Sequence, residues 1–342
     1  MQLVDPLTYP DWNEQLLAVP HASIFHTTHW LQVLQESYGY RPHYFACFQE
    51  KQLTGLLPFM EVKSWATAAR GISLPFSDYC EPIIDEQTSY LEVYTQVISV
   101  AQQLQWKFFE VKGGDVLFRG ESPYTYYYRH VLALHRDTEQ VFSRIRSNYR
   151  AKLRKARVCG LTVTILHSPE AMAEYYRLHC LTRKRHGLPP QPTGFFQKIQ
   201  EHIIAKNCGF VTLVSHAGKN VAGAVFFSFG HQATYKFGAS DIRYQHVCPN
   251  YWLFWHVIQW LCHNDYTELC FGRTALNNQG LIQFKDGWGT SKSQISYYKY
   301  DLKTASFVQN SNHFGGVGAN IWKKMPIPLL KFAGAVLYKH MG

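Results

Sequence analysis

The chain has 342 residues, of which 46% are hydrophobic and 17% are charged, and this composition excludes a disordered chain. The length is more than one ordinary hydrophobic core accommodates and favours two domains. Lys and Arg number 34 against 24 Asp and Glu, so the formal net charge is +10, which favours anionic partners such as phosphates, nucleic acid or acidic lipid headgroups.

The sequence contains neither a recognisable targeting segment nor a metal-binding pattern. The first residues, MQLVDPLTYPDW, lack the basic and apolar regions of a secretory signal, and no apolar run approaches the ~20 residues of a membrane span. The eight cysteines are scattered without a C-x-x-C pair, and the 17 histidines are not at metal-ligand spacing. We therefore expect free thiols in a reducing cytoplasm, no metal and no tightly bound cofactor.

The N-terminal half contains a pattern that the C-terminal half repeats. Residues 51–59, KQLTGLLPF, align without a gap with residues 219–227, KNVAGAVFF, and each segment follows an apolar stretch and a polar turn. This pattern predicts two β-hairpins. Downstream, residues 97–113 and 257–272 each predict a helix, a short polar break and a strand that ends in Gly.

Two matches in the same order indicate the duplication of one α/β unit. The order strand–strand–helix–strand implies mixed sheets with helices packed on them, so the predicted fold class is α/β (α+β) with two tandem domains. We place the N-terminal domain at residues 1–136, the C-terminal domain at 137–305 and a basic tail at 306–342.

A basic helix is predicted between the two copies. Apolar residues recur at helical spacing through residues 142–160, which also contain seven basic side chains and no acidic one. Arg146, Arg150 and Arg154 share one face of this helix. They are candidates to bind a phosphate of the substrate, and the alternative is a solvated basic face.

The tail after Asp301 contains five lysines and no acidic residue. Apolar residues lie between these lysines, and Pro326 and Pro328 permit a new helix after them, so we expect a short basic amphipathic helix in the tail. Two positions suit such a helix. It either docks on the C-terminal domain, which we favour, or makes a peripheral contact with a membrane.

Two sets of segments resemble a known family. The first set is WLQVL at residues 30–34, LPF at 57–59 and PFSDY at 75–79, and the second is YKFGAS at 235–240, PNYWL at 249–253 and GLIQFK at 280–285. Together they resemble the FemAB-like branch of the GNAT acyltransferase superfamily, whose members consist of two tandem GNAT-type domains. Its best-known members transfer amino acids from aminoacyl-tRNA to a peptidoglycan precursor.

The resemblance implies an acyltransferase that moves an acyl or aminoacyl group to an amine on a cell-envelope glycan or peptide precursor. The implied co-substrate is acyl-CoA or aminoacyl-tRNA. The implied partners are an anionic or lipid-linked precursor and tRNA, and the implied location is the cytoplasm or the inner face of the membrane. Residues 241–249, DIRYQHVCP, replace the Gly-rich phosphate loop of the superfamily, so the sequence leaves both donors open.

Candidate catalytic residues lie in the second copy. Lys285 matches the Lys of the family's Phe-Lys motif, and we expect it to stabilise the tetrahedral oxyanion or a donor phosphate. Tyr235, Asp241 and Asn250 lie where a strand ends and a helix begins, an edge that ligands of open α/β folds favour. Asp241 is the candidate general base. The remaining candidates for substrate binding are Asp78, Tyr79, Arg273 and Phe284.

Each candidate has a structural alternative, and the function has two rivals. Lys285 also fits a surface lysine, Asp241 a turn, and Asn250 the N-cap of a helix over residues 251–262. One rival function is an acyl-CoA-dependent N-acetyltransferase acting on a nucleotide sugar. The other is a non-enzymatic protein that binds RNA or membranes through its basic faces.

Overall fold

The computed structural model describes residues 1–64, 67–84, 90–309 and 319–342, with backbone alone for 319–321. These residues form two compact units. Unit 1 comprises the described parts of residues 1–127, 294–309 and 337–342, and unit 2 comprises residues 128–293 and 319–336. The predicted domain boundaries at 136/137 and 305/306 stay a prediction, and residues 310–318 of the predicted tail lie outside the described chain.

The helices and strands alternate along both units. The α-helices are α1 (Trp12–Leu17), α2 (Thr28–Tyr38), α3 (Tyr90–Gln103), α4 (Thr138–Arg144), α5 (Ser147–Val158), α6 (Pro169–His186), α7 (Thr193–Ile199), α8 (Pro249–His263), α9 (Gln279–Asp286), α10 (Ala319–Lys324) and α11 (Ile327–Leu337). The strands are β1 (Gln2–Val4), β2 (Arg41–Gln49), β3 (Gln52–Val62), β4 (Arg70–Ile72), β5 (Phe108–Lys112), β6 (Thr125–Ala133), β7 (Thr162–Leu166), β8 (Gly209–His216), β9 (Lys219–Phe229), β10 (Gln232–Ser240), β11 (Glu268–Ala275), β12 (Ser291–Asp301) and β13 (Ser306–Phe307). Within the described residues, no helix combines the length and apolar character needed to cross a bilayer.

Unit 1 is built on a mixed sheet with the strand order β1-β2-β3-β4-β5-β12, and β13 pairs with β12. β2 and β3 form the antiparallel hairpin predicted around residues 51–59, in the register Phe45↔Leu57. β4 and β5 are parallel because the chain crosses over between them through α3.

Unit 2 repeats this arrangement with the strand order β6-β11-β10-β9-β8-β7. β8 and β9 form the second predicted hairpin, in the register Val211↔Val225. β10 is antiparallel to β9 and parallel to β11, with α8 as the crossover. The mixed-sheet fold class and the repeated order predicted from the sequence are therefore confirmed.

The last strand of each sheet comes from the other half of the sequence. β6 follows β5 along the chain but lies beside β11, and β12 follows β11 but pairs with β5 in the register Tyr298↔Val111. The compact units are therefore not continuous segments of the chain.

Aromatic side chains fill the core of each unit. In unit 1, the ring of Phe59 packs on those of Trp106 and Phe109, with centroids 5.8 and 5.9 Å away. In unit 2, Phe254 stacks on Phe271 with centroids 5.0 Å apart. These large apolar areas are the main source of stability for both units.

The basic helix predicted over residues 142–160 is two helices in the structure. Ile145 is extended, with φ −71° and ψ 133°, and separates α4 from α5. The N–H of Arg146 donates to the carbonyl of Gly287 at 3.0 Å instead of to a carbonyl of α4, so the first helix ends there. The predicted apolar stripe is nevertheless buried at Ile145, Tyr149, Leu153 and Ala156.

Candidate functional site

The parallel strands β10 and β11 separate towards their carboxyl ends. Their pairing covers three residues of each strand and stops at Thr234↔Cys270, although both strands continue beyond it within the described chain. At the same point, a β-bulge between Tyr235 and Phe237 shifts the register of β10 against β9. The resulting opening lies at the edge of the sheet where ligands of α/β folds bind.

A pocket of about 270 Å³ lies beside the part of β10 that continues beyond its pairing with β11. It is bordered by β10, α8, α9 and the last turns of α6, through the residues Thr182, Arg185, His186, Tyr235, Gly238, Ala239, Ser240, Asn250, Phe254, Leu281 and Phe284. The volume suits a small acyl or aminoacyl group with part of its carrier, since pockets for whole drug-sized ligands begin at about 300 Å³.

The shape of this pocket depends on Tyr235 and Gly238. A Cβ at position 238 would lie 1.7 Å from the Tyr235 hydroxyl oxygen, so glycine is required to leave room for the phenol. The Tyr235 ring packs against Phe254 with centroids 4.8 Å apart. Burial raises the pKa of Tyr235 to about 12, so its hydroxyl stays protonated and can donate a proton.

The end of α6 supplies the polar side of the pocket. The hydroxyl of Thr182 accepts the N–H of Ser240 at 2.9 Å and donates to its carbonyl at 3.2 Å, which ties β10 to α6. Arg185 donates to Nε2 of His186 at 3.4 Å. Burial, together with Arg185 and Arg183, lowers the pKa of His186. A guanidinium and a neutral imidazole therefore border the pocket at neutral pH.

Three of the residues predicted from the sequence meet in this pocket: Tyr235, Asn250 and Phe284. α8 begins at Pro249 with Cys248 as its N-cap, so Asn250 lies within the first turn and the N-cap alternative for it is wrong. The segment Ile242–Val247 before this helix is a 3₁₀ helix in the position of the superfamily's Gly-rich loop.

Asp241 borders a separate polar hollow of about 430 Å³. Its carboxylate accepts the backbone N–H of Arg243 at 3.1 Å and the Nε of the same residue at 3.0 Å. These hydrogen bonds from Arg243 hold the pKa of Asp241 below its ordinary value, so the carboxylate is a poor proton acceptor at neutral pH. Its role as a general base stays a prediction, and its contacts favour the turn alternative.

Lys285 lies on the inner face of α9 and is 2% exposed. Its ammonium donates to the carbonyl oxygens of Gly272 and Arg273 at 2.9 and 3.1 Å. Lys285 therefore ties α9 to β11, the strand on one side of the opening, and it is not a surface lysine. Contact of its ammonium with a reacting oxyanion stays a prediction, as does substrate binding by the half-buried Arg273.

The three arginines of the basic segment differ in their surroundings. The guanidinium of Arg150 donates to the carbonyls of Ile145 and Ser143 at 2.9 and 3.3 Å. It therefore supplies hydrogen-bond donors to backbone carbonyls at the end of α4. Arg146 and Arg154 are exposed. Phosphate binding by these residues stays a prediction.

Asp78 and Tyr79 lie in unit 1, after β4. The carbonyl of Asp78 accepts the hydroxyl of Tyr297 at 2.6 Å. Tyr79 borders a hollow of about 840 Å³ and donates to the carboxylate of Glu81. Glu81 also accepts the N–H of Gly114 at 3.1 Å, and burial raises its pKa. Tyr79 is therefore positioned to touch a ligand in this hollow.

Comparison with known proteins agrees with this architecture. Residues 143–286 match the family model described as an acetyltransferase (GNAT) domain. FemX is similar in structure, with a TM-score of 0.71 and 13% identity over 89% of this chain and 98% of that chain. No protein with a curated function matches the sequence significantly.

Two further solved structures share the fold across most of the chain. One is the C-terminal domain of a protein assigned as a lysylphosphatidylglycerol synthetase from Agrobacterium fabrum, with a TM-score of 0.55 and 14% identity over 83% of this chain and 90% of that chain. The other is a tandem GNAT protein from the clavulanic acid biosynthesis pathway, with a TM-score of 0.54 and 9% identity over 88% of this chain and 97% of that chain.

The GNAT domain match spans the opening between β10 and β11 and all of the residues that line the pocket. Because the match is to an acetyltransferase domain, the rival interpretation as a non-enzymatic binding protein is set aside. Residues 143–286 therefore form a GNAT acetyltransferase domain, and the chain as a whole shares the fold of FemX, which supports the resemblance to the FemAB-like branch.

Proposed function

We propose that the chain transfers an aminoacyl or other small acyl group from an activated donor to an amine on a cell-envelope glycan or peptide precursor. The opening between β10 and β11, with its pocket of about 270 Å³, is the observation that carries this proposal. The unpaired side of β10 offers hydrogen bonds to the donor's carrier, and the pocket holds the acyl carbonyl near the acceptor amine.

The reaction needs no covalent enzyme intermediate. The amine attacks the acyl carbonyl, a C–N bond forms, and the C–O bond of a tRNA ester or the C–S bond of a thioester breaks. The proton that the amine loses is transferred to the leaving oxygen or sulfur. The protonated phenol of Tyr235 is suited to donate a proton to the leaving group and to recover one from the amine.

Aminoacyl-tRNA is the donor that the surface of unit 2 favours. α5 and the residue before it expose Arg146, Arg154, Lys155 and Arg157, a cationic set that suits a polyphosphate backbone. The similar Agrobacterium protein is assigned to make an aminoacylated lipid, which agrees with aminoacyl transfer. Acyl-CoA is the second candidate, because residues 143–286 match an acetyltransferase domain.

The acceptor is proposed to bind unit 1. The hollow beside Tyr79, at about 840 Å³, is large enough for part of a glycan or peptide. The carboxyl groups of Glu81 and Asp115 border it and can accept hydrogen bonds from the acceptor. Both candidate donors are cytoplasmic, so the proposed reaction takes place in the cytoplasm or at the inner face of the membrane.

Product mass spectrometry tests the proposal. The purified chain is incubated with mixed aminoacyl-tRNAs or with acyl-CoAs, together with envelope precursors and, separately, nucleotide amino sugars. The expected product is a precursor heavier by one amino acid, whose formation ribonuclease abolishes. A product that requires coenzyme A, on a nucleotide sugar, would instead support the rival N-acetyltransferase. No product with either donor would contradict the proposal.

A pair of tyrosine variants links that activity to the pocket. Tyr235→Phe removes the hydroxyl from the pocket and is expected to lower turnover by about 10²-fold. Tyr244→Phe removes a hydroxyl from the 3₁₀ helix of the same unit and is the matched control. Equal turnover in both variants would remove Tyr235 from the mechanism.

A further inference from the structure

α11 packs on unit 2 through one side and is apolar on both. Leu330 and Gly334 face inward, and a Cβ at Gly334 would lie 1.9 Å from the carbonyl oxygen of Pro190, so the helix is closely docked. The opposite side, here the outer face, exposes Leu329 by 56%, Phe332 by 71% and Val336 by 47%. A helix with large apolar side chains on two opposite faces is normally buried on both of them. The outer face therefore requires an apolar environment from outside the described chain.

The charge around the outer face indicates what that environment is. Exposed lysines precede α11 at Lys323 and Lys324 and follow it at Lys339. The ammonium of Lys331 lies over the ring of Tyr176, 5.0 Å from its centroid, and therefore points towards the docked side of the helix. The sequence has no acidic side chain from residue 302 to residue 342. An apolar face bordered by lysines is the pattern of helices that lie in the interface of an anionic bilayer.

We propose that the outer face of α11 docks on an anionic lipid bilayer. Leu329, Phe332 and Val336 enter the boundary between headgroups and acyl chains, and the surrounding lysines contact lipid phosphates. The helix lies in the plane of the surface, because its 11 residues span only about 16 Å. A second copy of the chain is a poorer occupant, since it would bring two lysine-bordered faces together.

This docking is independent of acyl transfer, so its failure and the failure of the proposed function are distinguishable. Its test is flotation of the full chain with vesicles of phosphatidylcholine and phosphatidylglycerol, and with vesicles of phosphatidylcholine alone. We expect the chain to float with the anionic vesicles and to remain behind with the neutral ones. Added salt should release it, because screening weakens the attraction between lysines and lipid.

Two double variants separate the apolar and the charged contributions. Leu329→Ser with Phe332→Ser is expected to weaken binding to anionic vesicles about tenfold or more. Lys324→Gln with Lys339→Gln is expected to weaken it about fivefold per lysine, which corresponds to about 1 kcal/mol each.

The matched control removes as much exposed apolar surface elsewhere. Leu17→Ser with Leu91→Ser alters two leucines of unit 1 that are 58% and 73% exposed. This control should bind vesicles like the parent, and thermal melts should show that all variants are folded. If the serine variant on α11 is unfolded, the lysine variant decides the test.

Three outcomes would overturn the proposal. The first is that the parent chain fails to float with anionic vesicles. The second is that the variants on α11 float as well as the control. In the third outcome, analytical ultracentrifugation finds a dimer of the parent that Leu329→Ser with Phe332→Ser dissociates, so that a second copy covers the outer face.

Discussion

Lys285→Met separates two roles of a buried ammonium. Methionine keeps the apolar stem and removes the charge together with the hydrogen bonds to the carbonyls of Gly272 and Arg273. A hydrogen bond from a charged group is worth about 1.5–3 kcal/mol, so two are worth about 3–6 kcal/mol. Relief of the desolvation of the ammonium offsets part of this loss. We therefore expect the free energy of unfolding of unit 2 to fall by about 2–4 kcal/mol.

Thermal unfolding followed by circular dichroism measures this loss. For a unit of this size the melting temperature should fall by about 2–4 °C per kcal/mol, or about 4–16 °C in total. Lys155→Met, which changes an exposed lysine on α5, is the control and should change the free energy of unfolding by less than about 0.5 kcal/mol.

The opposite pattern would refute this structural role. If Lys285→Met melts like the parent while turnover falls by about 10²–10³-fold, the ammonium stabilises charge in the transition state instead of holding α9 on β11. Both losses together would mean that the lysine positions the strand beside the reacting atoms, and Lys285→Arg should then restore stability only in part.

Three further predictions concern the packing of buried groups. Gly238→Ala should lower the free energy of unfolding in urea by about 1–3 kcal/mol, because the new Cβ overlaps the phenol oxygen of Tyr235. The loss should be smaller in a Tyr235→Phe background, and equal losses in both backgrounds would contradict this geometry. Burial lowers the pKa of His26 to about 4 and of His179 to about 3. The contribution of each neutral imidazole to the free energy of unfolding is therefore fully present above the ordinary pKa of about 6.5. Below that pH it falls by about 1.4 kcal/mol per pH unit for each histidine. A free energy of unfolding that is the same at neutral pH and at about pH 5 would contradict this prediction. Burial raises the pKa of the Cys80 thiol to about 12, so a disulfide reagent at mildly alkaline pH should label it only after denaturation, and rapid labelling of the native chain would show that the thiol is accessible.

The hairpins and crossovers are predictable because local patterns determine them. Residues 51–59 and 219–227 each combine a polar turn, a small residue followed by Gly and a run of apolar residues, and both contribute the second strand of a hairpin. The two prolines at positions 326 and 328 made a new helix in the tail predictable, but α11 has apolar side chains on both faces and is not the amphipathic helix that was expected.

The origin of the last strand in each sheet was not predictable. Which sheet β6 or β12 joins depends on long-range pairing that no local pattern records. The break at Ile145 has a similar cause, because the N–H of Arg146 finds its partner at Gly287, far along the chain.

The candidate site was predictable in part. Tyr235, Asn250 and Phe284 lie on elements that the sequence pattern places near one another, and they do meet in the pocket. Thr182 and His186 were missed because the basic end of α6 resembles a solvated helix terminus. The burial of Lys285 was missed because lysine is rarely buried without a partner, and its partners are backbone carbonyls.

The central claim, that the donor binds in the opening between β10 and β11, is tested most directly by hydrogen–deuterium exchange. The probes are a hairpin RNA with a stable 3′-aminoacylamide and, separately, coenzyme A. Binding of the true donor is predicted to slow exchange at residues 235–240 and in the first turn of α8, and the probe that does so identifies the donor class. Slowed exchange confined to unit 1, with residues 235–254 unchanged under both probes, would contradict the assignment of this opening as the site of acyl transfer.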